Sequence, residues 1–178
     1  SDIEDYILYL RKSDYSPSSI NQSIAAIKRF YKINNQPQKC KSLTYHDNPI
    51  KTPNVLTFDE CMALCSVNSN VKHRAIINLL YYGALRRSEL LNLKIKDISK
   101  DRRIAVISSK YRKSRVITIP EKTLRLLREY YVKYKPKEYL FNGEGGLGKY
   151  SASSVVNVLK NTAVLHGVKK NVHPHIMR

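Results

Sequence analysis

The sequence lacks any apolar run near the roughly 20 residues that a membrane-spanning helix needs. Three of its first five residues are acidic, so we expect neither a secretory signal nor a transit peptide. Only three cysteines occur, an odd number that makes no disulfide framework, and we therefore expect an intracellular, cytoplasmic protein. Cys61 and Cys65 are four residues apart in a helical pattern without nearby ligands, which predicts core residues and no metal site.

Acidic residues are also scarce, because 14 Asp and Glu stand against 32 Lys and Arg, a net charge of +18. Residues 1–54 hold 8 basic and 5 acidic side chains, net +3, and residues 55–178 hold 24 and 9, net +15. Such a field attracts a polyanion, and nucleic acid is the first expectation. The basic residues are not gathered on one amphipathic helix, which disfavours a membrane surface. A ribosomal or RNA-binding protein would share this charge.

The first part of the chain predicts a small helical unit. Apolar residues recur at helical spacing over 2–12 and again from 20 to 31. Between these runs, Ser16 can cap a helix and Pro17 can take its first position. Prolines and turn-forming residues after these runs predict an extended linker. We therefore expect a first domain at 1–46, a linker at 47–54 and a second domain at 55–178.

The second domain contains both the apolar spacing of α-helices and the β-branched runs of strands. Thr57 and Glu60 form a capping-box pattern, and the apolar run from His73 to Tyr82 predicts a buried helix. Two β-branched runs, 103–108 and 115–119, predict a hairpin with a strongly basic connection. Two further helices are expected, one at 121–134 with Leu124, Leu127 and Tyr131 inward, and one capped by Ser151. The expected fold class is mainly α with a small antiparallel β-sheet.

The candidate catalytic residues lie in three separate segments of the sequence. Arg86 follows the buried helix and has Glu89 three residues on, an arrangement that fits either a structural ion pair or a positioned phosphate clamp. Lys110 lies in the hairpin connection. His175 and Arg178 are three apart, and Pro174 in a first helical position would place both on one face near a helix N-terminus. If these places converge, they form a cationic pocket for one phosphate.

The motifs that carry these residues resemble one family. Residues 83–90, Gly-Ala-Leu-Arg-Arg-Ser-Glu-Leu, resemble the first arginine box of the tyrosine recombinases, the group that includes the phage integrases. Residues 110–120 resemble that family's β-hairpin lysine segment, and residues 175–178 resemble its His-x-x-Arg box. The three motifs occur in the family's order behind a helical bundle, and the resemblance covers nearly the whole chain. It implies an integrase-like fold with a DNA-clamping bundle and a catalytic domain.

The resemblance also implies roles for the candidate residues. Arg86 and Arg178 would hold the scissile phosphate, Lys110 would protonate the leaving 5′-oxygen, and His175 would bond the phosphate or assist proton transfer. Glu89 would position Arg86. The reaction would proceed through a 3′-phosphotyrosine with no cofactor and no metal. The partner would be double-stranded DNA, contacted by Lys28, Arg29, Arg112, Lys113, Arg115, Lys169 and Lys170.

The sequence departs from the family in two respects. The family's usual box reads Gly-Leu-Arg, whereas this chain has Gly-Ala-Leu-Arg followed by Arg87, which leaves Arg87 as the alternative clamp residue. The family's nucleophilic tyrosine lies downstream of the His-x-x-Arg box, where this sequence has no residues. We expect a fragment that is monomeric and inactive alone, from a full-length homotetramer on DNA. The alternative is a non-catalytic DNA-binding module or regulator that occupies the same sites.

Overall fold

The computed structural model describes residues 2–47, 54–66, 70–107, 114–146 and 148–178. Contacts between Cα atoms divide the chain into two units, Ser1–Pro53 and Asn54–Arg178. The predicted linker at 47–54 lies largely outside the described ranges. Within those ranges, no helix combines the length and apolar character needed to cross a membrane.

The first unit is built from two helices, α1 (Asp2–Lys12) and α2 (Pro17–Ile33), followed by a 3-10 turn at Pro37–Cys40. The predicted cap of α2 is confirmed, because the Ser19 backbone N–H donates to Ser16 Oγ at 3.1 Å and Pro17 is the first helical residue. The buried apolar residues of this unit are Ile7, Leu10, Ile20, Ile24, Cys40 and Leu43.

The second unit is mainly helical with one small sheet, which confirms the predicted fold class. Its α-helices and strands in the described ranges are α3 (Phe58–Ser66), α4 (Val71–Tyr82), α5 (Arg87–Asn92), β1 (Arg103–Ile107), β2 (Ser114–Thr118), α6 (Glu121–Tyr134) and α7 (Ala152–Leu165).

Local capping residues set where these helices begin. Glu60 N–H donates to Thr57 Oγ1 at 3.2 Å, and Thr57 N–H donates to a Glu60 carboxylate oxygen at 2.7 Å, so the predicted capping box at α3 is confirmed. Ser151 Oγ accepts from Ser154 N–H at 2.9 Å at the start of α7. These bonds satisfy N–H groups that have no partner within the helix itself.

Helix α4 lies at the centre of the second unit. Ala75 to Leu80 are all buried, and α4 contacts α3, α5, α6 and α7. Its one buried amide, Asn78, donates from Nδ2 to the carbonyl oxygens of Cys65 and Arg74, each at 2.9 Å. Because those bonds pair the amide, a polar residue is tolerated inside the core.

The hairpin is antiparallel, with Arg103 opposite Thr118 and Ile107 opposite Ser114. Ile104 and Val106 are buried, whereas Ala105 and Ile107 are exposed, as the two-residue alternation of a strand requires. The connection at 108–113 lies outside the described residues, and Lys110, Arg112 and Lys113 lie in it.

Helix α6 has the predicted bounds, but one of its inward residues was predicted wrongly. Tyr131 is 48% exposed, whereas Tyr130 is buried and stacks on Tyr134 with ring centroids 5.0 Å apart. Because an α-helix has 3.6 residues per turn, the next core-facing residue after Leu127 can be either Tyr130 or Tyr131. The buried Phe141 ring packs 5.2 Å from the Tyr130 ring, which places Tyr130 on the core-facing side of α6.

A sharp turn links α4 to α5 and delivers Arg86. A Cβ at Gly83 would lie 2.6 Å from Leu79 O and 3.1 Å from Ile117 Cδ1, so only glycine fits there. Ala84 then adopts a left-handed φ of +45°, a region that costs a residue with a Cβ about 1–2 kcal/mol. Leu85 is fully buried and fixes the end of the turn in the core.

We expect Ala84→Gly to raise the free energy of unfolding by about 0.5–1 kcal/mol, because relief of the left-handed strain exceeds the added chain entropy of glycine. Urea denaturation of the chain measures this. The matched control is Ala63→Gly in the middle of α3, which should lower the free energy by about 1 kcal/mol. A loss of stability at both positions would show that the φ at Ala84 carries no strain.

Candidate active site

Arg86 lies at the N-terminal boundary of α5, immediately after the buried Leu85. Its side chain is 44% exposed, so the guanidinium can be reached from solvent. Its backbone N–H donates to a Glu89 carboxylate oxygen at 2.8 Å, and its Nη1 donates to the other oxygen at 3.0 Å. The same carboxylate therefore fixes both the backbone and the side chain of Arg86.

Glu89 is the most deeply buried charge in this region, with a side chain only 2% exposed. Besides Arg86 it binds Arg115 on β2, whose Nη1 and Nη2 each donate to one carboxylate oxygen at 2.8 Å. Two parallel bonds from one guanidinium to one carboxylate form the strongest common ion-pair geometry in proteins. Glu89 thus joins α5 to the hairpin as well as to Arg86.

The hydrogen bonds to Glu89 stabilise its charged form. The bonds from Arg115 contribute most, followed by the backbone and side-chain bonds from Arg86, and together they outweigh the effect of burial and lower the pKa of Glu89 to about 2. At neutral pH the cluster holds one negative and two positive charges. A net positive charge therefore remains at the start of α5, which favours an anion there.

Arg87, the alternative clamp residue, is exposed and follows directly in the sequence. Among the described residues it forms no ion pair, whereas Arg86 is held from two directions. The structure therefore shows a positioned guanidinium at Arg86 and not at Arg87.

Residues 174–177 form a turn, and the helix start at Pro174 stays a prediction, because its α-helical bonds would need residues after Arg178. Ile176 N–H donates to His173 O at 3.0 Å and Arg178 N–H donates to His175 O at 3.4 Å, a three-residue spacing that tightens the chain away from α-helical geometry. Met177 is buried in the core of the second unit and anchors this turn.

His175 and Arg178 are both exposed on that turn. The structure shows no hydrogen bond or ion pair between either side chain and Arg86 within the described residues. Lys110 lies outside those residues. The structure therefore brings Arg86, Glu89 and Arg115 together, and the convergence of Lys110, His175 and Arg178 on Arg86 stays a prediction.

The residues predicted to contact DNA have different surroundings. Arg29 and Lys169 are exposed, and Lys28 lies over the ring of Tyr45 at 4.7 Å. Lys170 is held by the protein, because its Nζ donates to a Glu60 oxygen at 2.7 Å and to Val55 O at 2.9 Å.

Arg115 is likewise held by the protein, and this contact was not predicted from the sequence. The alternation of side chains along β2 could have indicated it, because Arg115 lies two residues before Ile117 and therefore faces the same, inward side of the strand. A charged residue at an inward position needs a buried partner. No group of three His, Cys, Asp or Glu side chains in the described ranges is arranged to hold a metal ion.

We expect Glu89→Gln to lower the free energy of unfolding by about 2 kcal/mol at pH 7, because it removes the shared counter-charge of two arginines. The folded-state pKa lies below the ordinary value, so this contribution is complete above pH 4.5 and is lost as the pH falls towards about 2. The difference between wild type and variant should therefore shrink in urea titrations from pH 5 to pH 3.

The control for that titration is Glu129→Gln, which breaks the exposed pair between Glu129 and Arg74. A pair of this kind contributes less than about 1 kcal/mol. A Glu89→Gln difference that stays constant from pH 5 to pH 3 would contradict the assigned charge state.

The sequence of this chain is similar to those of known proteins. The model of the phage integrase family matches residues 54–178. Tyrosine recombinase XerA of Pyrococcus horikoshii is 34% identical over 178 residues, which cover 97% of this chain and 61% of that protein. The putative integrase/recombinase y4qK of Sinorhizobium fredii is 30% identical over 181 residues, covering 99% of this chain and 59% of that protein. The chain thus spans about three fifths of the length of these relatives.

The fold also matches that of a solved structure. The Tn1549 transposon integrase, in complex with transposon right end DNA, superimposes with a TM-score of 0.79 and 19% sequence identity, covering 99% of this chain and 69% of that one. The family model spans all of the second unit, including Arg86, Glu89, Arg115 and the terminal turn. The chain belongs to the phage integrase family.

Proposed function

We propose that the whole protein is a site-specific DNA recombinase of the tyrosine type, and that this chain supplies its DNA-binding and phosphate-holding parts. The observation that carries the proposal is the exposed guanidinium of Arg86, held by the buried Glu89 within a unit that matches the family model. A guanidinium fixed before the substrate arrives needs no reorganisation when charge develops on a phosphate.

In the proposed reaction, Arg86 and Arg178 bind the non-bridging oxygens of one phosphodiester. A tyrosine hydroxyl oxygen attacks the phosphorus and its proton passes to solvent, while the 5′-oxygen leaves, which joins the 3′-phosphate to the tyrosine. The negative charge of the trigonal-bipyramidal transition state is spread over the oxygens that the two arginines contact. Lys110 gives a proton to the leaving 5′-oxygen, and His175 bonds the phosphate or assists that transfer.

Because the phosphotyrosine bond conserves the energy of the broken phosphodiester, the attack of a free 5′-hydroxyl can reseal DNA without ATP. Rejoining is the reverse of cleavage, with the proton returning to Lys110. We propose that four copies of the whole protein act together on DNA, an arrangement that the family resemblance suggests.

The proposed partner is duplex DNA. The second part of the chain, residues 55–178, carries 24 basic and 9 acidic residues, and the Tn1549 integrase, which shares this fold, binds transposon end DNA. Arg29 and Lys169 are exposed cations that suit phosphate contacts, as are Arg112 and Lys113 by their place in the hairpin connection. Contacts of this kind position the protein and do not read sequence.

We expect this chain to bind a mixed-sequence duplex of about 30 base pairs with steep salt dependence. With about four phosphate contacts, the affinity should fall about 10²-fold between 50 and 200 mM salt, because each contact releases counterions. Fluorescence anisotropy measures this, with single-stranded RNA of the same length as competitor. Displacement by the RNA at equal or lower concentration would favour an RNA-binding protein instead.

In the whole protein, we expect Arg86→Ala to lower the rate of DNA cleavage about 10²–10³-fold or more while binding changes little, because Arg86 acts chiefly on the transition state. Trapping of the covalent protein–DNA adduct on a suicide substrate measures the rate. Arg87→Ala is the matched control and should change cleavage only slightly. The reverse pattern would make Arg87 the clamp residue, and an equal loss of DNA affinity would make Arg86 a general contact.

A further inference from the structure

Arg115 faces inward from a basic hairpin. It pairs across the sheet with Val106, which is buried, and its own side chain is 35% exposed. Both of its terminal nitrogens donate to Glu89, each at 2.8 Å. The edge formed by Nη1 and Nη2, one of the two edges that can bind a phosphate through two bonds, is thus already occupied by a carboxylate.

The shared carboxylate links Arg115 to Arg86 through a single atom. Glu89 Oε1 accepts from Arg115 Nη1 at 2.8 Å and from Arg86 Nη1 at 3.0 Å. The two bonds from Arg115 fix the plane of the Glu89 carboxylate. The orientation of that plane determines the position of Oε1, the atom to which Arg86 Nη1 donates. Without Arg115, the carboxylate keeps its bond to the Arg86 backbone N–H but gains freedom to rotate.

Arg115 also changes how much positive charge Arg86 presents. One carboxylate between two guanidinium groups neutralises neither of them completely, so Arg86 keeps attraction for a second anion. With Arg115 removed, the whole charge of Glu89 would act on Arg86 alone. A larger share of the Arg86 charge would then be neutralised, and its field at a phosphate would be weaker.

We propose that Arg115 is a positioning residue for Arg86 and not a DNA contact, and that it ties the hairpin to the arginine clamp through Glu89. The segment between β1 and β2 contains Lys110, the proposed proton donor. A displacement of the hairpin would break the Arg115–Glu89 bonds and loosen Arg86. The inference rests on the proposed function, because it takes Arg86 as the residue that holds the phosphate.

The first test follows Arg86 directly, without DNA. In the chain labelled with ¹⁵N-arginine, the side-chain signal of Arg86 is assigned by its disappearance in Arg86→Lys. Arg115→Gln should shift that signal and speed rotation of the Arg86 guanidinium, and Arg115→Lys, which keeps one charged donor for Glu89, should restore part of the slow rotation. Loss of folding stability alone would not produce this graded response.

The matched control is Arg103→Gln on β1 of the same hairpin. Arg103 is exposed, and its Nε pairs with the exposed Asp101 at 3.2 Å. This variant should leave the Arg86 signal unchanged. An Arg86 signal that is equally unaffected by Arg115→Gln and Arg115→Lys, in chains that remain folded, would overturn the proposal.

The second test uses the salt dependence of duplex binding. A residue that contacts a phosphate contributes about 0.9 to the slope of log affinity against log salt, so its removal lowers the slope by about 1. Arg115→Gln should leave the slope unchanged, and a fall by about 1 would overturn the proposal in favour of a DNA contact. In the whole protein, Arg115→Gln should lower the cleavage rate at saturating DNA at least tenfold with little change in the DNA concentration needed for half-saturation.

The two tests separate the inference from the proposed function. Failure of the chain to bind any duplex would count against the proposed function, whereas the Arg86 signal would still decide whether Arg115 positions it. If the chain binds duplex DNA normally but the Arg86 signal does not change when Arg115 is substituted, the proposed function is retained and the positioning role of Arg115 is overturned.

Discussion

The carboxylate of Glu89 is the constraint on which the rest of the site depends. Its side chain is almost fully buried, and a buried charge is tolerated only when it is paired and hydrogen-bonded. Four donors from two arginines meet this need, and they come from the start of α5 and from β2. Satisfying one buried charge therefore fixes the backbone of Arg86, its guanidinium and the inward side of the hairpin in a single arrangement.

The turn before Arg86 follows from packing and not from local preference. Gly83 is required because a side chain there would meet the Leu79 carbonyl oxygen of α4 itself and, less closely, Ile117 on β2. Ala84 accepts a left-handed backbone that glycine adopts more easily. With Arg86 aligned to the family's arginine, Ala84 stands where the family's box has its glycine. The buried Leu85 holds the turn in place, so part of the core's stability maintains a strained connection immediately before Arg86.

Much of the fold could be predicted because its signals are local. The caps at Ser16, Thr57 and Ser151 act within three residues, and the bounds of α6 follow from its apolar period. Tyr131 was placed inward wrongly, because the period permits two neighbouring residues and the position of Phe141 decides between them.

The sequence by itself determined the charge, the order of the three motifs and the pairing of Arg86 with Glu89, because residues three apart at a helix start are neighbours in any helical fold. Only the tertiary structure decided that Arg115, 26 residues further along, shares that carboxylate. Strand register turns Arg115 towards α5, and no pattern within β2 specifies which buried acid it will meet. A contact of this range depends on how α4, α5 and the hairpin pack together, and packing of distant segments is what a linear pattern does not encode.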